Sequence, residues 1–235
     1  MISKIEENEL GFTRIWSEMT TLECGALFLN PHLPNDIFFD KLTNVTCLSE
    51  KMIDEALYLF QRHNTRPFIY VLNNPPLEEL LRKKGFTFYD TQHVLKKLAG
   101  NNLENFPIHH IARKDSLLWA DIFCKSYDCP DWIDEVNAIV RKSISEVEYL
   151  VDSENNASCV ALYEKNSILG LYCLGTVPEK RRKGLAKLLI SYALNQVKTK
   201  KLDFLILETY QRDALLEFYL KLGFEKVYEK KIYTI

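Results

Sequence analysis

A chain of 235 residues has room for one large domain or two modest ones, and a hydrophobic fraction of 47% is enough to furnish their cores. The formal net charge of -2 leaves no general polyanion-binding surface, so nucleic acid is not expected as a partner. No apolar run reaches the length of a membrane span, and Met1 to Glu7 lack the charged-then-apolar order of a signal segment. These features predict no membrane partner and a cytoplasmic location.

In chain order, the first clear pattern is a helix over Ser49 to His63. The apolar run Pro67-Phe68-Ile69-Tyr70-Val71-Leu72 then reads as a strand. Leu77, Leu80 and Leu81 follow at helical spacing, Gly85-Phe86 ends that segment, and an extended run continues to Lys97. Residues 98–107 are polar, punctuated by Gly and Pro and without period, which marks the best linker. The expected division is therefore 1–98, a linker over 99–107, and 108–235. Past the linker, Leu117, Leu118 and Ile122, then Val136, Ile139 and Val140, give helical patterns. Trp119, Phe123, Tyr127 and Trp132 line either a core or a pocket. Ile168 to Leu174 reads as a strand, Leu185, Leu188, Leu189, Tyr192 and Ala193 as a helix, and Leu202 to Leu207 as a buried strand. Leu215, Phe218, Tyr219 and Leu222 mark a last helix that stops at Gly223.

The six cysteines form no Cys-x-x-Cys pair and lie mostly in apolar surroundings, so buried thiols are expected. His109-His110 would point to opposite faces of a strand, which argues against a shared metal, and no metal site is expected. Gly170-x-x-x-x-Gly175 has the spacing of a nucleotide-binding loop, but Thr176 stands where the phosphate-binding Lys belongs. No Gly-x-Gly-x-x-Gly follows a strand, so dinucleotide binding has no support.

The stretch Val177-Pro178-Glu179-Lys180-Arg181-Arg182-Lys183-Gly184-Leu185-Ala186 lies between a strand end and a helix start. A helix start carries N–H groups without intrahelical partners and the positive end of the macrodipole, and so suits phosphate. Gly184 and Ala186 allow close approach to the backbone, and four cations surround it. It reads as an anion-binding turn.

This order of elements and the pattern Arg181-x-x-Gly184-x-Ala186 resemble the acetyl-CoA pyrophosphate loop of the GCN5-related N-acetyltransferases, the GNAT family. Phe218-Tyr219-Leu220-Lys221-Leu222-Gly223-Phe224 resembles the same family's Leu-Tyr-x-x-x-Gly-Phe signature. The resemblance covers roughly the last half of the chain. It implies an α/β (α+β) fold of the GNAT type, a mixed, mostly antiparallel twisted sheet flanked by helices. Because 67–97 repeats the plan of 205–234, it also implies two tandem copies. The first copy would be a degenerate half, with no phosphate loop and with Leu81 where the second has Tyr219.

The activity implied is transfer of an acetyl group from acetyl-CoA to a primary amine of a small molecule or peptide, by direct attack and without metal. The strand Ile168 to Val177 would splay, with Leu174, Thr176 and Val177 facing the acyl group and pantetheine. Arg181, Arg182, Lys183, Gly184, Leu185 and Ala186 would seat the pyrophosphate. Tyr219 would protonate the leaving thiolate, unless it is only a packed aromatic. Glu208 is the first choice for a base and Glu164 the second, although either reads equally as a surface carboxylate. Arg212 stands where the family commonly has Asn; it binds a cofactor phosphate or an acidic substrate, or faces solvent. A non-catalytic acyl-CoA-binding protein is the alternative, and the chain is expected as a monomer or homodimer.

Overall fold

The computed structural model describes residues 1–100 and 107–235; most of the expected linker, at 101–106, lies outside the described residues. The chain begins with α1 (Ile2–Trp16), the hairpin β1 (Glu18–Leu22) and β2 (Gly25–Leu29), and β3 (Lys41–Thr43). Next come α2 (Glu50–Arg62), β4 (Ile69–Val71), α3 (Pro75–Lys83) and β5 (Thr87–Lys97). After the break follow β6 (Ile108–His110), α4 (Ser116–Tyr127), α5 (Ile133–Ser143), β7 (Glu148–Asp152), β8 (Ser158–Lys165) and β9 (Ile168–Thr176). The chain closes with α6 (Leu185–Thr199), β10 (Phe204–Tyr210), α7 (Leu216–Lys221) and β11 (Glu225–Thr234). The order β3-α2-β4-α3-β5 recurs as β9-α6-β10-α7-β11, the duplicated plan that the sequence suggested.

Two compact units are made of non-contiguous chain: Met1–Glu9 with Lys96–Leu207, and Leu10–Leu95 with Glu208–Ile235. In the first unit, β6, β7, β8 and β9 pair antiparallel in sequence, and β10 joins β9 in parallel. Helix α6 buries Leu185, Leu189, Ile190, Ala193 and Val197, a 3.6-period stripe that packs on β7, β8 and β9. Full burial of Leu189 and Ile190 contributes about 2 kcal/mol each. Helix α4 buries Trp119, stacked on Phe123 at 5.2 Å and donating its indole N–H to Val160 O at 3.1 Å. Those two aromatics are therefore core. Asn8 of α1 is fully buried; it donates to Ile168 O at 3.1 Å and accepts from the Tyr172 hydroxyl at 2.7 Å. A Cβ on Gly170 would collide with that Tyr172 ring and with the Asn8 amide, which is why glycine stands there.

In the second unit, β1 with β2, β2 with β3 and β4 with β11 are antiparallel, and β3 with β4 is parallel. Leu27, Leu42, Ile53, Phe60, Ile69 and Leu81 are central to its core. Ser49 caps α2 by accepting from Met52 N, and Asn74 caps α3 by accepting from Leu77 N. The expectation of six thiols fails here, because Cys24 and Cys47 are joined as a disulfide. Thr46 N donates to Cys24 O at 2.8 Å, so the chain folds back and brings together residues 23 apart, a proximity their spacing does not reveal. The free cysteines are Cys124 and Cys159, both buried, and the half-buried Cys129 and Cys173.

Asn8→Ala should lower the unfolding free energy by about 2–3 kcal/mol, since it strands the Ile168 carbonyl and the Tyr172 hydroxyl; a urea melt measures it. A second outcome concerns Asp40, whose carboxyl is raised from 3.8 to about 7 by burial, with the nearby Asp36 charge adding to the rise. Between those values the unfolded chain loses this proton while the folded chain keeps it. Stability should fall as pH rises from 3.8 to about 7 and then level off, and Asp40→Asn should flatten the slope in thermal melts.

Candidate functional site

The site begins where β9 leaves its neighbour. Parallel pairing with β10 runs from Ile168 to Leu171, and the β8 register then slips between Cys159 and Ala161, whose partners are Gly175 and Tyr172. The strand has taken up one extra residue. Cys173 sits in the left-handed region at φ 53, a bulge conformation unusual for a residue with a side chain. Beyond the bulge, β9 is held from other directions. Tyr127 of α4 donates its hydroxyl to Leu174 O at 3.0 Å, Ser158 Oγ donates to Gly175 O at 2.7 Å, and Val177 N donates to Ala157 O at 2.9 Å. Gly175 lets α4 come this close, since a Cβ there would lie 2.7 Å from Ser126 Cβ.

The basic turn follows. Pro178–Lys180 forms a single 3-10 turn, and Arg181 folds back so that Nε donates to Thr176 O at 3.1 Å and Nη2 to Ser126 O at 2.9 Å. Arg181 therefore braces the turn, tying it to β9 and α4, and is exposed like Arg182 and Lys183. Arg182 and Gly184 both take left-handed backbone, at φ 63 and 84, and turn the chain into α6. No side chain caps α6, and its first internal bond is Leu188 N to Gly184 O at 3.0 Å. The N–H groups of Lys183, Gly184, Leu185, Ala186 and Lys187 meet no acceptor among the described residues. A Cβ on Gly184 would meet nothing within 4 Å, so the space beside that residue is open. The positive field extends to Lys97, whose ammonium pKa is pushed down by burial and by Lys187. Donor rows of this kind fit the oxygens of a phosphate or pyrophosphate.

Tyr219, Glu208 and Arg212 belong to the second unit, and Glu164 to the first. Tyr219 is 6% exposed, packed edge-on against Phe224 at 5.9 Å, and its hydroxyl makes no hydrogen bond among the described residues. Burial, then the Asp213 charge, push its pKa to about 12. Glu208 is half-buried, and Gln92 Nε2 donates to its Oε2 at 3.4 Å. Arg212 is engaged within the unit. Its Nε lies 3.5 Å from Asp90, its Nη1 donates to the Tyr89 hydroxyl at 3.0 Å, and its guanidinium lies 5.4 Å from the Tyr210 ring. Glu164 is a surface carboxylate in an ion pair with Lys200 at 3.1 Å. His109 lies 3.9 Å from Asp115, while His110 pairs with Glu148 at 3.1 Å. No cluster of three or more metal-ligating side chains occurs among the described residues. Nor is any helix among them long and apolar enough to cross a membrane.

Two seats of one design frame Tyr219. Phe224 N donates to Tyr219 O at 3.1 Å around Gly223 at φ 82, and Phe86 N donates to Leu81 O at 3.0 Å around Gly85 at φ 88. Leu81 thus occupies the place of Tyr219 in the first copy. Sequence reasoning did not give Ser126 or Ser158 a role, and the Cys173 bulge has no residue signature. The one available signal was Gly175, a small residue where a strand must admit a neighbour.

The sequence model of the acetyltransferase (GNAT) domain matches residues 139–226. The chain is similar across nearly all its length to a GCN5-related N-acetyltransferase from Kribbella flavida, at TM-score 0.70 and 16% identity, covering 99% of this chain and 94% of that one. A functionally unknown conserved protein from Staphylococcus epidermidis gives TM-score 0.66 and 14% identity, with 94% of each chain covered. A tandem GNAT protein from the clavulanic acid biosynthesis pathway gives 0.58 and 11%, covering 90% and 78%. A comparison with curated proteins found no match. Residues 139–226 match the GNAT domain model, and the fold, helices flanking mostly antiparallel sheet, is of the GNAT type.

Arg181→Ala should free the Thr176 and Ser126 carbonyls. Amide hydrogen exchange should then rise several-fold over residues 174–186 while the rest of the first unit is unchanged.

Proposed function

We propose that this protein is an acetyl-CoA-dependent N-acetyltransferase acting on a primary amine of a small molecule or peptide. The observation that carries the reading is the uncapped start of α6, where the N–H groups from Lys183 to Lys187 meet no acceptor among the described residues and the turn is braced by Arg181. Arg182, Lys183, Gly184, Leu185 and Ala186 bind the pyrophosphate. The β9 backbone from Leu174 to Val177 lies along the pantetheine and acyl group and polarises the thioester carbonyl. The amine nitrogen attacks that carbonyl carbon, the new C–N bond forms, and the C–S bond breaks.

Glu208 takes the proton from the amine and Tyr219 supplies one to the departing thiolate; both roles rest on the family resemblance. A phenol with a pKa of about 12 is protonated at every working pH, so the donor is always loaded. Donation to a thiolate of pKa about 8.5 is uphill by about 5 kcal/mol unless the two groups shift, so this proton transfer should add only modestly to the rate. Arg212 is assigned to a cofactor phosphate or acidic substrate group, which would require it to exchange its contacts with Asp90 and Tyr89.

Calorimetry with acetyl-CoA tests the reading. Wild type should bind, and Gly184→Glu, which puts a carboxylate in front of the donors, should abolish binding in a folded protein. Failure of wild type to bind would overturn the proposal. Binding without thiol release across an amine panel would instead leave a non-catalytic acyl-CoA binder. In an active preparation, Tyr219→Phe should lower kcat by about tenfold with KM nearly unchanged.

A further inference from the structure

The turn that braces the phosphate loop is flanked by two free thiols. Helix α4 ends at Asp128, in the left-handed region at φ 55, and both Asp128 N and Cys129 N return to Cys124 O, the latter at 3.0 Å. A direct backbone hydrogen bond therefore joins Cys124 and Cys129. The two side chains are also hydrogen-bonded to each other, which holds the Cys124 pKa below the usual thiol range. Between the two cysteines lie Ser126, whose carbonyl accepts from Arg181 at 2.9 Å, and Tyr127, whose hydroxyl holds Leu174 O at 3.0 Å. The other free pair is unlike this one. The Cys159 sulfur donates to a backbone carbonyl, Cys173 O, and burial pushes its pKa up.

We propose that Cys124 and Cys129 are a reversible disulfide site, formed by a hydroperoxide, whose closure loosens the loop brace at Ser126 and Tyr127. Cys129 is the less buried residue of the two and reacts first. It takes the terminal peroxide oxygen to become a sulfenic acid, and the peroxide leaves as an alcohol, or as water from hydrogen peroxide. The Cys124 sulfur then attacks the Cys129 sulfur; the S–S bond forms, the S–O bond breaks, and hydroxide leaves with the thiol proton as water. Two electrons have passed from the thiol pair to the peroxide, and a dithiol reductant returns them. Drawing the sulfurs from hydrogen-bond distance to a covalent bond of about 2 Å tightens the ring around Ser126 and Tyr127. Those two residues then lose their alignment on Arg181 and Leu174. The effect on acetyl-CoA rests on the function proposed above; the disulfide itself does not.

The test treats the whole protein with hydrogen peroxide, maps disulfides by non-reducing mass spectrometry, and measures amide exchange over 174–186 and acetyl-CoA affinity. A Cys124–Cys129 cross-link, faster exchange and about tenfold weaker binding are expected, the scale of one or two lost hydrogen bonds. Dithiothreitol should reverse all three. Cys129→Ser should respond in none, which controls for the Cys24–Cys47 bond it retains. Absence of the cross-link, or a Cys124–Cys159 bond in its place, would overturn the site. A cross-link with unchanged exchange would overturn its control of the loop. If reduced wild type fails to bind acetyl-CoA, the functional reading falls, and mapping with exchange still decides the disulfide.

Discussion

A strand in the middle of a sheet has every peptide group engaged and nothing to offer a ligand. The first unit is organised around relieving that constraint in β9. Pairing with β10 stops at Leu171, and Cys173 absorbs one extra residue at φ 53. The strand then continues under the hold of β8 and α4, through Ser158 and Tyr127. Everything downstream depends on where β9 then points. The 3-10 turn at Pro178, the Arg181 brace and the left-handed backbone at Gly184 together turn the open end of α6 outward.

The duplicated plan sets two helix starts of different chemistry side by side. Both place a helix after the last strand of an antiparallel run, β3 in one and β9 in the other. In α2 the first turn is closed by its own Ser49, and the preceding loop is pinned by the Cys24–Cys47 bond. In α6 the corresponding cap is glycine, and the donors are left for something else. A side-chain oxygen supplied from within competes directly with one supplied by a ligand. The two helix starts differ chemically in that single respect before any added charge is considered.

The parts of this arrangement that were legible in the sequence were those with a period or a stop signal. The α6 stripe, the strand that became β10, Gly85 and Gly223 as helix ends, and the Arg181-x-x-Gly184-x-Ala186 loop could all be read from spacing. The hidden parts depend on contacts distant in sequence. Nothing near Asn8 announces that its amide bonds to Ile168 and Tyr172. Tyr127 reads as one more member of an aromatic stripe, although Trp119 and Phe123 turn inward while Tyr127 reaches the β9 backbone. Arg181 reads as a phosphate ligand by pattern, and its guanidinium is instead spent on two carbonyls. The disulfide was missed because proximity of Cys24 and Cys47 is a property of the folded loop, not of their spacing.

The antiparallel pairing of β11 with β4, through Lys231–Val71, Ile232–Tyr70 and Tyr233–Ile69, joins the last strand of the second copy to the middle of the first. A fragment starting at residue 107 would keep the basic turn yet leave β11 with an open edge, a template for joining another chain. The first copy is therefore retained by architecture as well as by whatever chemistry it performs. With its closing strand lent across the duplicated plan, the second copy depends on the first for a strand edge that it cannot supply itself.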